Sequence, residues 1–167
     1  MAQSQKSGIG YYAVQCGDLK VGAVVIVNAL GDVFDYRTGK KIAGTLNKQR
    51  TEFIDGEDLM YERAAALANG TNTTIGAVIT NAQLSQQEMC KVAAMTRSAL
   101  ARCINPVGTT ADGDTVYAVS VGKVPSDVNV VGTLASRVLS EAILDAVKSS
   151  AMDDAEYLKL LPKMGEH

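Results

Sequence analysis

The sequence predicts an α/β layered domain, and two observations carry that prediction. Several β-rich runs are apolar on both faces, and two long segments carry apolar residues at helical spacing. Strands of the first kind belong in the middle of a covered sheet rather than on a solvent-facing one. Helices of the second kind turn one apolar stripe toward a sheet. Together they imply a sandwich of helices around stacked sheets.

The elements follow in order. YYAVQC at 11–16 and KVGAVVIVN at 20–28 are β-rich and separated by the turn signal Gly17-Asp18, so they form a hairpin. Residues 29–56 turn polar and glycine-bearing and are expected to be a long excursion with little regular structure. EDLMYERAAALA at 57–68 has helix-forming composition, stopped by Asn69-Gly70. TTIGAVIT at 73–80 is a buried strand. Behind it Ser85 and Glu88 form a capping box, and Met89, Val92, Ala93, Ala99, Leu100 and Cys103 extend one helix that ends before Pro106. The loop GTTADGD leads into the strand TVYAVSV at 115–121. A last long helix over about 127–148 carries the stripe Val131, Leu134, Ala135, Val138, Leu139, Ala142, Ile143 and Ala146, and a short helix near 154–161 follows.

Length and composition bound the function. With 167 residues, 47% hydrophobic and 20% charged, the chain has the length of one globular domain or a little more, either a single domain or half of a larger one, and can bury roughly 70% of its unfolded surface without a disulfide or metal staple. Its 16 basic and 18 acidic residues leave a net charge of -2 with no basic stretch, which excludes a nucleic-acid footprint. The single histidine is His167, the last residue, so Ser-His and Cys-His catalysis and His-ligated zinc are set aside. Cys16, Cys90 and Cys103 contain no CxxC and sit among apolar neighbours, which predicts small hydrophobes. The N-terminus lacks an apolar signal core and no apolar run reaches about 18 residues, so a cytoplasmic address with no membrane partner is expected. No cofactor is called for.

Three motifs could carry chemistry. GIGYYA at 8–13 matches the loose pattern G-x-G-x-x-A, but a dinucleotide site needs a strand before it and a helix after it, and here a strand follows. The sequons at Asn69 and Asn72 mean little without a secretion signal. Asp112-Gly113-Asp114 sits immediately before a strand. It is either an Asx-type turn or a pair of carboxylates orienting a catalytic group. Further oxygen ligands at EF-hand spacing are missing, so it is not a calcium loop. A nucleophile that such a pair could serve is Thr73, first residue of a buried strand. A Thr hydroxyl needs a base, and without a useful histidine the known solution is an N-terminal Thr whose own α-amine does that work. Thr73 is internal as encoded, so it either gains that amine by a cut after Asn72 or is simply one of two β-branched residues opening a strand.

Several segments taken together resemble one family. NTTIGAVITNAQLS at 72–85, ALARCINPVGTTADGDTVYAVS at 99–120, KSGIG at 6–10 and VGAVVIVNALGDV at 21–33 are similar to the β-peptidyl aminopeptidases, also described as L-aminopeptidase/D-esterases, which include the endo-type 6-aminohexanoate (nylon) oligomer hydrolases. The blocks keep the family's order, and NTT followed by DGD, with Asp112 39 positions after Thr73, is specific in combination. The resemblance implies an α/β/β/α sandwich, of which this chain is the C-terminal half. It also implies an amidase that cuts itself between Asn72 and Thr73, ending a large subunit at residue 72 and opening a small one over 73–167. On that reading Thr73 is the nucleophile, Asp112 and Asp114 hold its amine and hydroxyl, Asn28 is the oxyanion donor, and Lys6 is a charge near the nucleophile. The implied partners are an amide or peptide substrate, a missing N-terminal half or second chain, and further copies in a homo-oligomer. Gly108 stands where many relatives carry a His before Thr109. Two other readings share the pattern: a catalytically silent partner or scaffold, and an acyl transferase of the ornithine acetyltransferase kind.

Overall fold

The computed structural model describes residues 3–62 and 72–160. Its main sheet has four strands in the order β1 (Ile9–Cys16), β2 (Leu19–Asn28), β5 (Thr73–Gln83) and β7 (Thr115–Pro125). β1 and β2 form the expected hairpin, β2 pairs antiparallel with β5, and β5 pairs parallel with β7. A parallel pair needs a crossover. Helices α2 (Gln86–Thr96) and α3 (Ser98–Cys103) supply it.

One face of this sheet is covered by α4 (Val128–Ser149), which starts at Asp127, whose carboxylate accepts from the amides of Asn129 and Val130. Its stripe is buried as the sequence predicts, with Val131, Ala135, Val138, Leu139, Ala142, Ile143 and Ala146 all in the core and Leu134 partly so. Val21, Val25 and Val78 meet them from the sheet. Gly10 lets β1 lie against this helix, because a Cβ there would run into the Ala142 carbonyl and the Ala146 backbone. The G-x-G pattern is thereby absorbed by packing.

The described residues leave the other face open. Burial along β2 alternates strictly, so Val25 and Val27 are covered while Val24 and Ile26 are exposed. The strand is central, as its composition predicts, but the described residues cover only one of its faces. Register aligns the residues of this face in rows: Ile9, Ile26, Ile75 and Thr115, then Tyr11, Val24, Ala77 and Tyr117, then Ala13, Gly22, Ile79 and Val119. Tyr11 is 75% and Val121 71% exposed.

Three expectations need correction. The excursion at 29–56 holds a hairpin, β3 (Asp32–Asp35) with β4 (Lys40–Ala43), which joins the short β6 (Ile104–Asn105) in a second sheet. Its order comes from buried Asp32, whose carboxylate accepts from Lys41 Nζ at 2.6 Å, from the Thr45 amide at 2.8 Å and from the Gly56 amide at 2.9 Å. The helix predicted from Ser85 to Cys103 is two, meeting at Arg97, where the buried Thr96 hydroxyl donates to the Val92 carbonyl at 2.7 Å and bends the ladder. The Ser85–Glu88 box itself is present in full. Cys16 and Cys90 are exposed, at the end of an edge strand and on the outer face of α2; Cys103 alone is buried, and burial pushes its thiol up to about 11.

The helix expected at 57–68 is seen as α1 (Gly56–Glu62); its remainder and the turn at 69–71 lie outside the described residues. The short C-terminal helix is α5 (Asp154–Leu160). Among the described residues no helix is long and apolar enough to cross a membrane.

Candidate active site

Strand alternation decides where the first hydroxyl of β5 points. Thr74 is buried and Gly76 meets Leu139 of α4, so the even residues face the helices. Thr73, Ile75 and Ala77 therefore face the open side. On the neighbouring strand Asn28 is the register partner of Thr73 and is exposed on the same side. Opposed residues of an antiparallel pair have Cβ atoms about 4.5–5.5 Å apart. The predicted oxyanion donor and the predicted nucleophile are thus neighbours at the end of the open face.

On its other side Asn72 is gripped by the segment that feeds β7. Asn72 and Asp112 form a parallel bridge, the Asn72 amide donates to the Ala111 carbonyl at 3.3 Å, and the Gly113 amide donates to the Asn72 carbonyl at 2.9 Å. The Thr73 hydroxyl donates to that same carbonyl oxygen at 2.6 Å. Two donors thus polarise the carbonyl of the bond before Thr73. A Cβ on Gly113 would sit 2.8 Å from Thr73 Oγ1, so the hydroxyl fits only because residue 113 has no side chain.

The two carboxylates brace the backbone around this point. Asp112 Oδ2 accepts from the Thr109 amide at 2.9 Å and the Thr109 hydroxyl at 2.8 Å, closing the turn. Asp114 Oδ1 accepts from the Thr74 amide at 2.7 Å, one residue beyond the candidate nucleophile. Burial pushes the Asp114 carboxyl above its usual range, and the charge of Asp112 adds to this; the Thr74 amide and Arg97 act in the opposite direction. In the intact chain, therefore, neither carboxylate's hydrogen bonds go to the Thr73 hydroxyl, and the Thr73 nitrogen is an amide with no amine to hold. Asp114 also lines an open cleft of about 330 Å³ with Arg97, Ser98, Leu100, Val107 and Gly108.

Lys6 is used elsewhere. Its ammonium donates to the Ser150 carbonyl at 3.4 Å, at the C-terminal end of α4, where a cation is favoured by the helix dipole. The structure does not bring it beside Thr73. Conversely, the Gly113 amide escapes sequence reasoning, which sees the glycine only as a turn former between two aspartates. Among the described residues no cluster of His, Cys, Asp or Glu could hold a metal ion.

The chain resembles several known proteins. The sequence profile of peptidase family S58 matches residues 1–156. A 6-aminohexanoate-oligomer endohydrolase of Kocuria sp. is 29% identical over 163 residues, which cover 87% of this chain and 46% of that protein. An uncharacterized aminopeptidase of Mycobacterium leprae is 36% identical over 164 residues, 85% of this chain and 44% of its own length. The chain spans about half the length of the relatives it matches. In structure it is similar to the L-aminopeptidase D-Ala-esterase/amidase of Ochrobactrum anthropi, described as a variant of the Ntn-hydrolase fold, with a TM-score of 0.59 at 15% identity, covering 94% of this chain and 48% of that one. A Burkholderia sp. β-aminopeptidase aligns with a TM-score of 0.53 at 17% identity, over 98% and 51% of the two chains.

Proposed function

The chain belongs to peptidase family S58, and from that premise we propose that it carries the nucleophile of an amide- or peptide-hydrolysing enzyme that matures by cutting itself between Asn72 and Thr73. The observation that supports this reading best is the Thr73 hydroxyl lying 2.6 Å from the carbonyl oxygen of the bond to be cut. Attack by that hydroxyl on the Asn72 carbonyl carbon shifts the acyl group from nitrogen to oxygen, and water then opens the ester. The cut leaves an α-amine on Thr73 with a reference pKa of about 7.7–8.0, a base suited to neutral pH. Thr73 Oγ1 then attacks a substrate amide, passes its proton to that amine, releases the leaving amine and is freed by water. Asn28, opposite Thr73 on the same face, is the donor for the developing oxyanion. Asp112 and Asp114 fix the segment beside the new terminus and are the groups available to hold its ammonium. The relatives' names point to amide bonds of amino-acid or ω-amino-acid units.

The apolar rows on the open face of the main sheet call for a cover. A further polypeptide layer, either the remainder of a longer chain or a second subunit, is proposed to pack there and to complete the substrate pocket next to Asn28 and Thr73. Intact-mass analysis of fresh and aged protein tests the central claim. The expected products are residues 1–72 and 73–167, with Thr73→Ala uncut; a protein that hydrolyses amides yet stays one chain would refute the assignment.

A further inference from the structure

The carbonyl oxygen of Asn72 receives two donors, and the proposed maturation step uses only one of them. The second is the Gly113 amide at 2.9 Å. We infer that this backbone N–H is the oxyanion donor of the self-cleavage step, and that glycine is required at position 113 because Thr73 Oγ1 occupies the space of a Cβ. The inference rests on Thr73 being the nucleophile.

The step balances with water as its one co-reactant. A bond forms between Thr73 Oγ1 and the Asn72 carbonyl carbon, the carbonyl π pair moves onto oxygen, and the hydroxyl proton passes to the Thr73 nitrogen. Collapse of this intermediate breaks the C–N bond and leaves an ester on Oγ1 beside a free amine. Water hydrolyses the ester, giving the Asn72 carboxylate and restoring the hydroxyl. Negative charge gathers transiently on the oxygen that Gly113 already contacts at 2.9 Å in the ground state, so the donor is in hydrogen-bond reach before the carbon becomes tetrahedral.

The donor is held in place before the reaction begins. Upstream, the Asn72 amide is tied to Ala111 and the Asp112 carboxylate locks its turn onto Thr109. Downstream, Asp114 is bonded to the Thr74 amide. A donor fixed on both sides needs no reorganisation as charge develops. Asn28 lies across β5 from this segment, so the two donors divide the work: Gly113 serves the bond within the chain, Asn28 the bond of an incoming substrate.

The test replaces Gly113 by glycolic acid, which turns the Asp112–Gly113 amide into an ester and deletes the N–H without adding a side chain. Cleavage is followed by intact mass, which assigns each cut to its bond, with hydroxylamine added in parallel to wild type and Thr73→Ala to trap the ester intermediate. Wild type should be cut between residues 72 and 73, Thr73→Ala should stay whole, and the glycolate variant should be cut about 10²–10³-fold more slowly while keeping the native circular dichroism spectrum. Cutting of the glycolate variant within a few-fold of wild type, with Thr73→Ala whole, would overturn the Gly113 assignment and leave the nucleophile standing. A cut Thr73→Ala, or an uncut wild type even with hydroxylamine, would overturn both. If the glycolate variant fails to fold, the through-hydrogen-bond coupling between the Gly113 amide nitrogen and the Asn72 carbonyl carbon in Thr73→Ala decides; its absence refutes the inference.

Discussion

Asn28 and Thr73 face each other across the antiparallel β2–β5 pair, at the end of a sheet face whose adjoining rows hold the exposed Ile9, Ile26, Ile75, Tyr11, Val24 and Tyr117. A polar pair at the rim of an apolar face is where a substrate could meet a nucleophile without crossing the core.

Asn28→Ala should therefore impair hydrolysis more than folding. In a mature, active preparation kcat should fall by roughly 10²–10³, while the thermal midpoint moves little because residue 28 is exposed at the strand end. Unchanged kcat in a folded variant would remove Asn28 from the site.

Asp114→Asn should keep the fold, since its amide oxygen can still accept from the Thr74 amide. The sign of its stability effect follows from the raised carboxyl pKa, caused mainly by burial. A carboxyl that holds its proton more tightly when folded loses stability as pH climbs through the window from its ordinary value of 3.8 to the raised one. The variant should thus match wild type below that window and equal or exceed its melting temperature at neutral pH. Maturation or hydrolysis should nevertheless slow greatly, because a neutral amide cannot balance an ammonium as a carboxylate does. Paired melting curves between pH 3 and 8 and mass-resolved cutting rates check the two halves separately.

Asp32→Ala should be the most damaging change to the loop region. It removes the counter-charge of the Lys41 ammonium, whose side chain is 16% exposed and keeps only the Ile54 carbonyl, and strands the amides of Thr45 and Gly56. Breaking a buried ion pair from one side costs about 3–5 kcal/mol. Chemical denaturation reads this directly, and a loss below about 1 kcal/mol would mean the pair behaves like a surface one.

Thiol labelling should separate the cysteines. Cys16 and Cys90 are exposed and should react quickly in native protein. Cys103, buried and with its thiol pushed up to about 11, should react only after unfolding. Three fast thiols in native protein would contradict the packing around α3.

The open face should drive association. Ile26 is 50% and Tyr117 59% exposed in adjoining apolar rows, and contiguous apolar surface on this scale marks an interface. Sedimentation should show self-association or dye binding, both weakened by Ile26→Lys. A compact monomer that binds no hydrophobic dye would refute it.

What the sequence reveals is what is decided locally. The Ser85–Glu88 box, the stripe of α4 and the Gly17-Asp18 turn depend on residues within a few positions of each other, and all are present. The order of residues 29–56 hangs instead on Asp32 reaching amides 13 and 24 positions away, which no periodicity announces. The same holds for Gly113, whose amide meets Asn72 only because β5 and β7 run parallel. Thr73 and Asn28 could be named from motifs, but their adjacency is a fact of register. The doubly apolar β2 is central, but the described residues cover only one of its faces.

The order of strands in the main sheet bears on how a matured protein would come apart. β5 lies between β2, from before the proposed cut, and β7, from after it, while α4 from the later segment packs on β1 and β2. A break before Thr73 would therefore leave two polypeptides interleaved within one core, and neither could depart without dissolving the other. Unfolding would gain a dissociation step, so the melting midpoint of the processed form should rise more steeply with protein concentration than that of Thr73→Ala.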